Sequence, residues 1–226
     1  DPTVYDGAFA NNGWLQELPK PWTRLTWDNA ALVSPATAER LGLTNEQVVT
    51  LSVDGRDVSA PVWILPGHAD RSVTLNLGYG RRRAGRVGSA IGFDAYALRT
   101  TTAPWSIASA AVRRSDDRHP LATTQEHFSM EGRALARSGT LSEYEERPGF
   151  AHELGPHEPG PDMSLDPGFE YKGNAWGMAV DLGACLGCHA CVVACQAENN
   201  IPVVGKEQVL AGREMHWLRI DRYFSG

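Results

Sequence analysis

Between residues 28 and 115 apolar and polar positions alternate in short runs broken by turn residues, the pattern of strands rather than of long amphipathic helices. Residues 48–53 and 58–65 flank Asp54-Gly55 and predict a β-hairpin, because Asp-Gly readily supplies the positive φ that a tight turn needs. Pro66-Gly67 ends the second strand. Further strands are predicted at 72–77, 95–100 and 105–113. One short helix, residues 36–41, is bracketed by Ser34 as N-cap, Pro35 at the first helical position and Gly42 just past the end. Without long crossover helices, such a series of strands predicts a mainly β unit closed into a barrel rather than an open parallel sheet.

Beyond residue 116 the periodicity fades, apart from a helix expected around 124–137. Five of the fourteen prolines fall between 148 and 167, interleaved with Gly and acidic residues, so this stretch cannot build a core of its own. It reads as a tether, or as a strap laid on a partner through Tyr144, Phe150 and Phe169. His119, His127, His152 and His157 lie in this polar section, where solvated histidines are the default.

Composition narrows the function. The 226 residues are 42% hydrophobic, enough for one ordinary domain and a smaller one. A net charge of −6 leaves no basic excess to neutralise phosphates, which argues against a general nucleic-acid binder. No run reaches the roughly 18 apolar residues of a membrane span, so membrane attachment is expected to come through partner subunits. Starting at Asp1-Pro2 without Met, the chain is expected to be a segment of something longer.

All four cysteines fall within eleven residues, as Cys185, Cys188, Cys191 and Cys195. A disulfide framework would spread them to close useful loops, and a structural zinc site would need two well-separated ligand pairs. Their C-x₂-C-x₂-C-x₃-C spacing is instead that of bacterial ferredoxins. Thiolates three residues apart can wrap a cubane corner by corner, Gly183 and Gly187 relieve crowding in the turn, and Val192, Val193 and Ala194 can shield the cluster. His189, inside the run, reads as a solvated or sulfur-contacting side chain and not as a ligand. In two-cluster ferredoxins the first three cysteines hold one cluster and the fourth holds the other. Carried over, Cys185, Cys188 and Cys191 bind one [4Fe–4S] cluster, and Cys195, on a helix starting near Cys191, points away from it towards a second.

Residues 77–88 form a glycine-rich loop with Arg81, Arg82, Arg83 and Arg86. Glycines permit close backbone approach and guanidinium forks match phosphate oxygens, so the loop could cradle a diphosphate. Its spacing is neither a P-loop nor a Rossmann fingerprint, so a cationic hairpin docking an acidic partner surface is preferred over a nucleotide site. No hydrolase or metalloprotease motif appears, and no residue is expected to act as catalytic acid, base or nucleophile. Asp28, Asn29 and the tryptophans read as core or interface.

Residues 6–19 (DGAFANNGWLQELP) and 25–35 (LTWDNAALVSP) resemble the last domain of the molybdopterin oxidoreductase superfamily. In this wording, and in His119-Pro120-Leu121-Ala122-Thr123-Thr124-Gln125 and Met130-Glu131-Gly132-Arg133, the chain is similar to the large iron–sulfur subunits of bacterial alternative complex III. The cysteine run, with residues 197–202 (AENNIP) and 217–223 (WLRIDRY), is similar to the first cluster motif of dimethyl-sulfoxide-reductase-type electron-transfer subunits. Gln196 stands where small ferredoxins carry proline. The resemblance implies a double-psi β-barrel over residues 1–116, a linker or strap over 117–175, and the first part of an α+β ferredoxin-like domain over 176–226. It further implies a barrel without molybdopterin, [4Fe–4S] clusters, and a place on the periplasmic face of the bacterial inner membrane. Quinol-binding membrane subunits and cytochrome c are the implied partners. A molybdenum bis-pterin oxidoreductase, whose barrel binds the pterin dinucleotide, is the competing expectation.

Overall fold

A computed structural model describes residues 1–155, 160, 163, 165, 170 and 172–224. In chain order the elements are α1 (Gly13–Glu17), β1 (Ala31–Val33), α2 (Pro35–Leu41), β2 (Gln47–Val53), β3 (Arg56–Ile64), β4 (Thr74–Leu75), α3 (Gly85–Gly88), a 3₁₀ turn (Ala95–Leu98), β5 (Ala111–Arg118), α4 (Leu141–Glu146), α5 (Phe150–Glu153), α6 (Ala190–Glu198) and α7 (Lys206–Leu210). Contacts divide the chain into two units, one of Asp1–His127 with Leu186–Arg222, the other of Phe128–Cys185 with Tyr223–Gly226.

The first unit is built on a mixed sheet of order β4-β1-β3-β2-β5, in which β1 pairs parallel with β3 and the other pairs are antiparallel. Asp54 and Gly55, at φ 48° and 75°, make the hairpin turn expected of them, and Val53 pairs with Arg56 across it. In β2 the side chains of Val49, Leu51 and Val53 are buried at every second position, as a strand with one face on the core requires. They join Val33, Val58, Ala60, Val62 and Leu98 in the main hydrophobic cluster. Helix α2 is capped as the sequence predicts: Ser34 Oγ accepts from Thr37 N at 3.0 Å, and Gly42 sits in the left-handed region at φ 62°.

Three elements differ from expectation. Residues 95–98 form a 3₁₀ turn and not a strand, because the Asp94 carboxylate accepts from Tyr96 N at 2.9 Å and starts a tight turn that buries Ala95 and Leu98, three residues apart. The last strand lies at Ala111–Arg118 and not at 105–113: Leu51 pairs with Val112 and Gln47 with Arg118, so its charged end joins the ladder. That charge suits an edge strand, which must not recruit another chain. Residues 124–137 hold no helix; Thr124, Gln125 and Arg133 join turns and bridging contacts instead.

In the second unit, α4 opens on a complete capping box between Thr140 and Glu143. The two bonds from Thr140, backbone first, hold the Glu143 carboxyl below its ordinary pKa. Neither α4 nor α5 buries a residue, Tyr144 is exposed and Phe150 half-buried, in keeping with a segment that lacks its own core. Phe128 and Phe224 pack with ring centroids 6.1 Å apart. His157, Phe169 and the prolines at 156, 159, 161 and 167 lie outside the described residues. Among the described residues no helix is long and apolar enough to cross a membrane.

The alternation in β2 sets a direct test. Leu51→Ala should lower unfolding free energy by about 2–5 kcal/mol in a denaturant titration. The neighbouring Thr50→Ala, on the other face of the strand, should cost less than about 1 kcal/mol.

Candidate functional site

The segment carrying the cysteines after Leu186 has few apolar residues to bury, and residues near the N-terminus hold it. On α6 the buried positions are Val192 and Gln196, four apart and therefore on one face, followed by buried Ile201 and Val209. From α1, Trp14 Nε1 donates to Ile201 O at 2.8 Å. Glu17, 1% exposed, accepts from Val204 N at 3.0 Å, Gly205 N at 2.7 Å and the Trp27 indole N–H at 3.0 Å. Three N–H donors replace water around this carboxylate, which allows it to be buried in the charged form. Lys206 Nζ lies 2.5 Å from the buried Asp28 carboxylate and 3.0 Å from His119 Nε2. His119, whose side chain is 44% exposed, is therefore both in contact with solvent, as its surroundings in sequence suggest, and tied to this ion pair. At the far end, the Gln125 side chain donates to Arg222 O at 2.7 Å and accepts from Arg222 N at 2.9 Å.

The cysteines stand as follows. Cys185, Cys188 and Cys191 are exposed and Cys195 is half-buried. Cys185 belongs to the second unit and the other three to the first. Gly187 takes φ 65° between Leu186 and Cys188, a turn that a side chain would strain. Cys191 is the second residue of α6, and Cys195 follows one turn later, about 6 Å along the axis. Four residues apart, the two share a helix face, so Cys195 is carried further along that face and not turned away from it. Asn199 Nδ2 lies 3.5 Å from Cys195 Sγ, an N–H···S contact of the kind that stabilises a thiolate ligand. Gln196 is explained by the helix itself: α6 runs on to Glu198, and proline at 196 would remove one of its hydrogen bonds and clash with the preceding turn. Among the described residues no three His, Cys, Asp or Glu side chains gather closely enough to hold a single metal ion.

His189, between Cys188 and Cys191, departs from the solvated reading. It adopts φ 64°, caps α6 without a side-chain bond, and is 1% exposed. Its Nε2 lies 2.6 Å from Nη1 of Arg24, itself 1% exposed and left-handed at φ 61°. The same Nη1 donates to Lys20 O at 3.1 Å and Pro21 O at 2.8 Å. A guanidinium only donates, so His189 Nε2 accepts and the neutral ring carries its proton on Nδ1. Burial first, then the Arg24 charge, pushes the His189 pKa down to about 4. Burial, then Arg222, brings Arg24 down to about 10, still charged at neutral pH. His189 Nδ1 is buried with no hydrogen-bond partner among the described residues. A set of four thiols in ferredoxin spacing, an amide on the Cys195 sulfur and a buried N–H without an acceptor on the residue next to Cys188 fit an iron–sulfur site, whose sulfurs accept such bonds. Cys185, Cys188 and Cys191 would hold one cluster and Cys195 would be a ligand of a second, and the clusters would supply one-electron redox chemistry. Sequence reasoning missed Glu17, Arg24 and Asn199, which carry no motif and are recognised only by what they touch.

The Gly/Arg loop proves to be occupied by its own chain. A Cβ on Gly80, at φ 75°, would stand 2.2 Å from Asp94 N, and one on Gly88 would stand 2.2 Å from Ala10 O. Val87 N donates to Asn11 Oδ1 at 3.0 Å, Ala84 N to Ser89 Oγ at 2.9 Å, and Arg81 Nη2 to Asp6 O at 3.0 Å. The glycines thus serve close packing, and these backbone donors are not free to cradle a diphosphate. Arg82, Arg83 and Arg86 remain exposed.

No family model matches the chain. A stretch of 26 residues, 12% of the chain, is 73% identical to the menaquinone reductase iron–sulfur cluster-binding subunit of Nitratidesulfovibrio vulgaris (strain Hildenborough). The chain spans 10% of the length of that curated relative.

Two outcomes follow from this geometry. Glu17→Ala strands the Val204, Gly205 and Trp27 donors, and should destabilise the protein by about 3 kcal/mol or more, at roughly 1–3 kcal/mol per unsatisfied group. Hydrogen exchange at residues 204–205 should quicken with it. Replacing Arg82, Arg83 and Arg86 together by Ala should leave unfolding free energy within about 0.5 kcal/mol per site in a denaturant titration, because all three are exposed.

Proposed function

We propose that the chain is part of an iron–sulfur electron-transfer subunit of a quinone-linked oxidoreductase attached to a membrane through its partners. The observation that carries this reading is the C-x₂-C-x₂-C-x₃-C run, whose last three cysteines, Cys188, Cys191 and Cys195, lie in a segment locked to the rest of its unit. The short likeness to a menaquinone reductase iron–sulfur subunit supports a quinone-linked role. More finely, we place the chain in the alternative complex III type, in which quinol is oxidised at the outer face of the bacterial inner membrane and electrons leave for cytochrome c or an oxidase. In that reading residues 1–116 are the double-psi barrel and residues 176–226 begin the ferredoxin-like domain. The parallel pairing of β1 with β3 in an otherwise antiparallel sheet supports a crossed-over topology rather than a simple meander.

The protein's part in the chemistry is to hold and tune. Thiolates fix the clusters, while N–H groups aimed at sulfur stabilise the more negative reduced state and raise its potential. The Gly/Arg loop, packed against its own chain, supports a barrel without a pterin dinucleotide.

The test is made on the intact protein purified anaerobically. Iron and acid-labile sulfide in equal amounts, a reduced-state paramagnetic spectrum of [4Fe–4S] type, and reduction by a menaquinol analogue are expected, with loss of one cluster's signal in Cys188→Ser. Absence of iron and sulfide would end the reading. Stoichiometric molybdenum or tungsten would replace it with the bis-pterin oxidoreductase.

A further inference from the structure

The Arg24–His189 pair has no role in ligation, yet it places a buried, oriented N–H group inside the cysteine run. Nε2, at the tip of the ring, is taken by the Arg24 guanidinium at 2.6 Å, which leaves the proton on Nδ1. Nδ1 is bonded to Cγ, next to the backbone that joins Cys188 to Cys191. His189 is 1% exposed, and its Nδ1 finds no acceptor among the described residues. A buried donor without an acceptor costs a substantial fraction of a protein's net stability and is rarely tolerated, so an acceptor is expected at this position. The acceptor chemistry that the flanking residues supply is sulfur.

We propose that His189 donates its Nδ1–H to a sulfur atom of the cluster held by Cys188 and Cys191, and that Arg24 is the positioning residue that fixes the imidazole for this contact. The inference rests on the iron–sulfur reading above. It adds that the N-terminal part of the chain sets the cluster's potential, since Arg24 lies 165 residues away in sequence from the ring it orients. The reduced cluster carries one more negative charge than the oxidised one and gains more from an N–H donor. Losing the donor therefore lowers the potential.

The intact protein, produced with ¹⁵N-histidine, decides the matter. The signal altered by Cys188→Ser identifies the cluster concerned, and in the wild type that signal should show a weak coupling to a histidine nitrogen. His189→Phe should abolish the coupling and make the cluster roughly tenfold harder to reduce, about 59 mV for a one-electron couple. His189→Gln, which retains an N–H donor, should recover most of the shift, whereas a purely structural role for the ring would give Phe and Gln the same potential. Arg24→Gln should weaken the coupling while leaving iron and sulfide content intact. Iron and sulfide present, with no histidine coupling and an unchanged potential in His189→Phe, would overturn the proposal. Should His189→Phe fail to assemble, the labelled wild type decides alone, because a water in place of sulfur gives no histidine coupling. Absence of iron and sulfide from the wild type would instead defeat the electron-transfer reading itself.

Discussion

The buried carboxylate of Glu17 is the constraint on which this unit depends. Residues 186–222 cannot form a core of their own, since the buried apolar side chains they contribute are chiefly Val192, Ile201 and Val209. An ordered cysteine loop therefore has to borrow a foundation, and it does so through polar contacts with residues 14–28. Glu17 gathers two backbone N–H groups from the far end of the chain and an indole N–H from its own neighbourhood. Charge-assisted bonds of this kind are directional as well as strong, so they fix a register that a few aliphatic contacts would leave free.

The same unit holds several further buried polar groups. Arg24, Lys20, His189, Gln196, His216 and Arg222 each keep a buried nitrogen or oxygen without a hydrogen-bond partner among the described residues, although Lys20 and Arg222 also lie over the rings of Tyr79 and Trp22. Folded proteins leave few such groups, and where several fall together they point to a missing occupant or to stored strain. Arg24 and Trp27 add positive φ angles at non-glycine positions, a costly backbone choice close to the same place.

Most of the sheet follows local rules, apart from the displaced edge strand β5 and the register shift between Gln47 and Val49. Alternating burial in β2, a capped α2 and a charged edge at β5 agree with one another, and together they provide the rigid frame from which α1 reaches the cysteine segment. Asn29 extends that frame: its side chain bonds Asn76 O, Phe93 O and Phe93 N and ties two long loops to the start of β1. That single amide is structural, in keeping with its reading as a core residue.

Local chemistry is legible in sequence wherever the interacting residues are neighbours. Helix α2 with its Ser34 and Gly42 caps, the hairpin at Asp54-Gly55 and the ferredoxin spacing of the cysteines all belong to this class, because capping, turn formation and ligand spacing are short-range. The 3₁₀ turn at 95–98 and the displaced strand at 111–118 were not legible: an Asp side chain on a backbone N–H and a pairing register with β2 outweighed the apolar pattern. Nor were the inner surroundings of the site. Whether His189 meets water or a guanidinium depends on where Arg24 sits, and whether Glu17 is a solvated helix residue or a buried anchor depends on Val204 and Gly205. Sequence alone determined the spacing of the four thiols; only tertiary structure decided what surrounds them, because contacts across more than 160 residues are made by folding and leave no spacing to read.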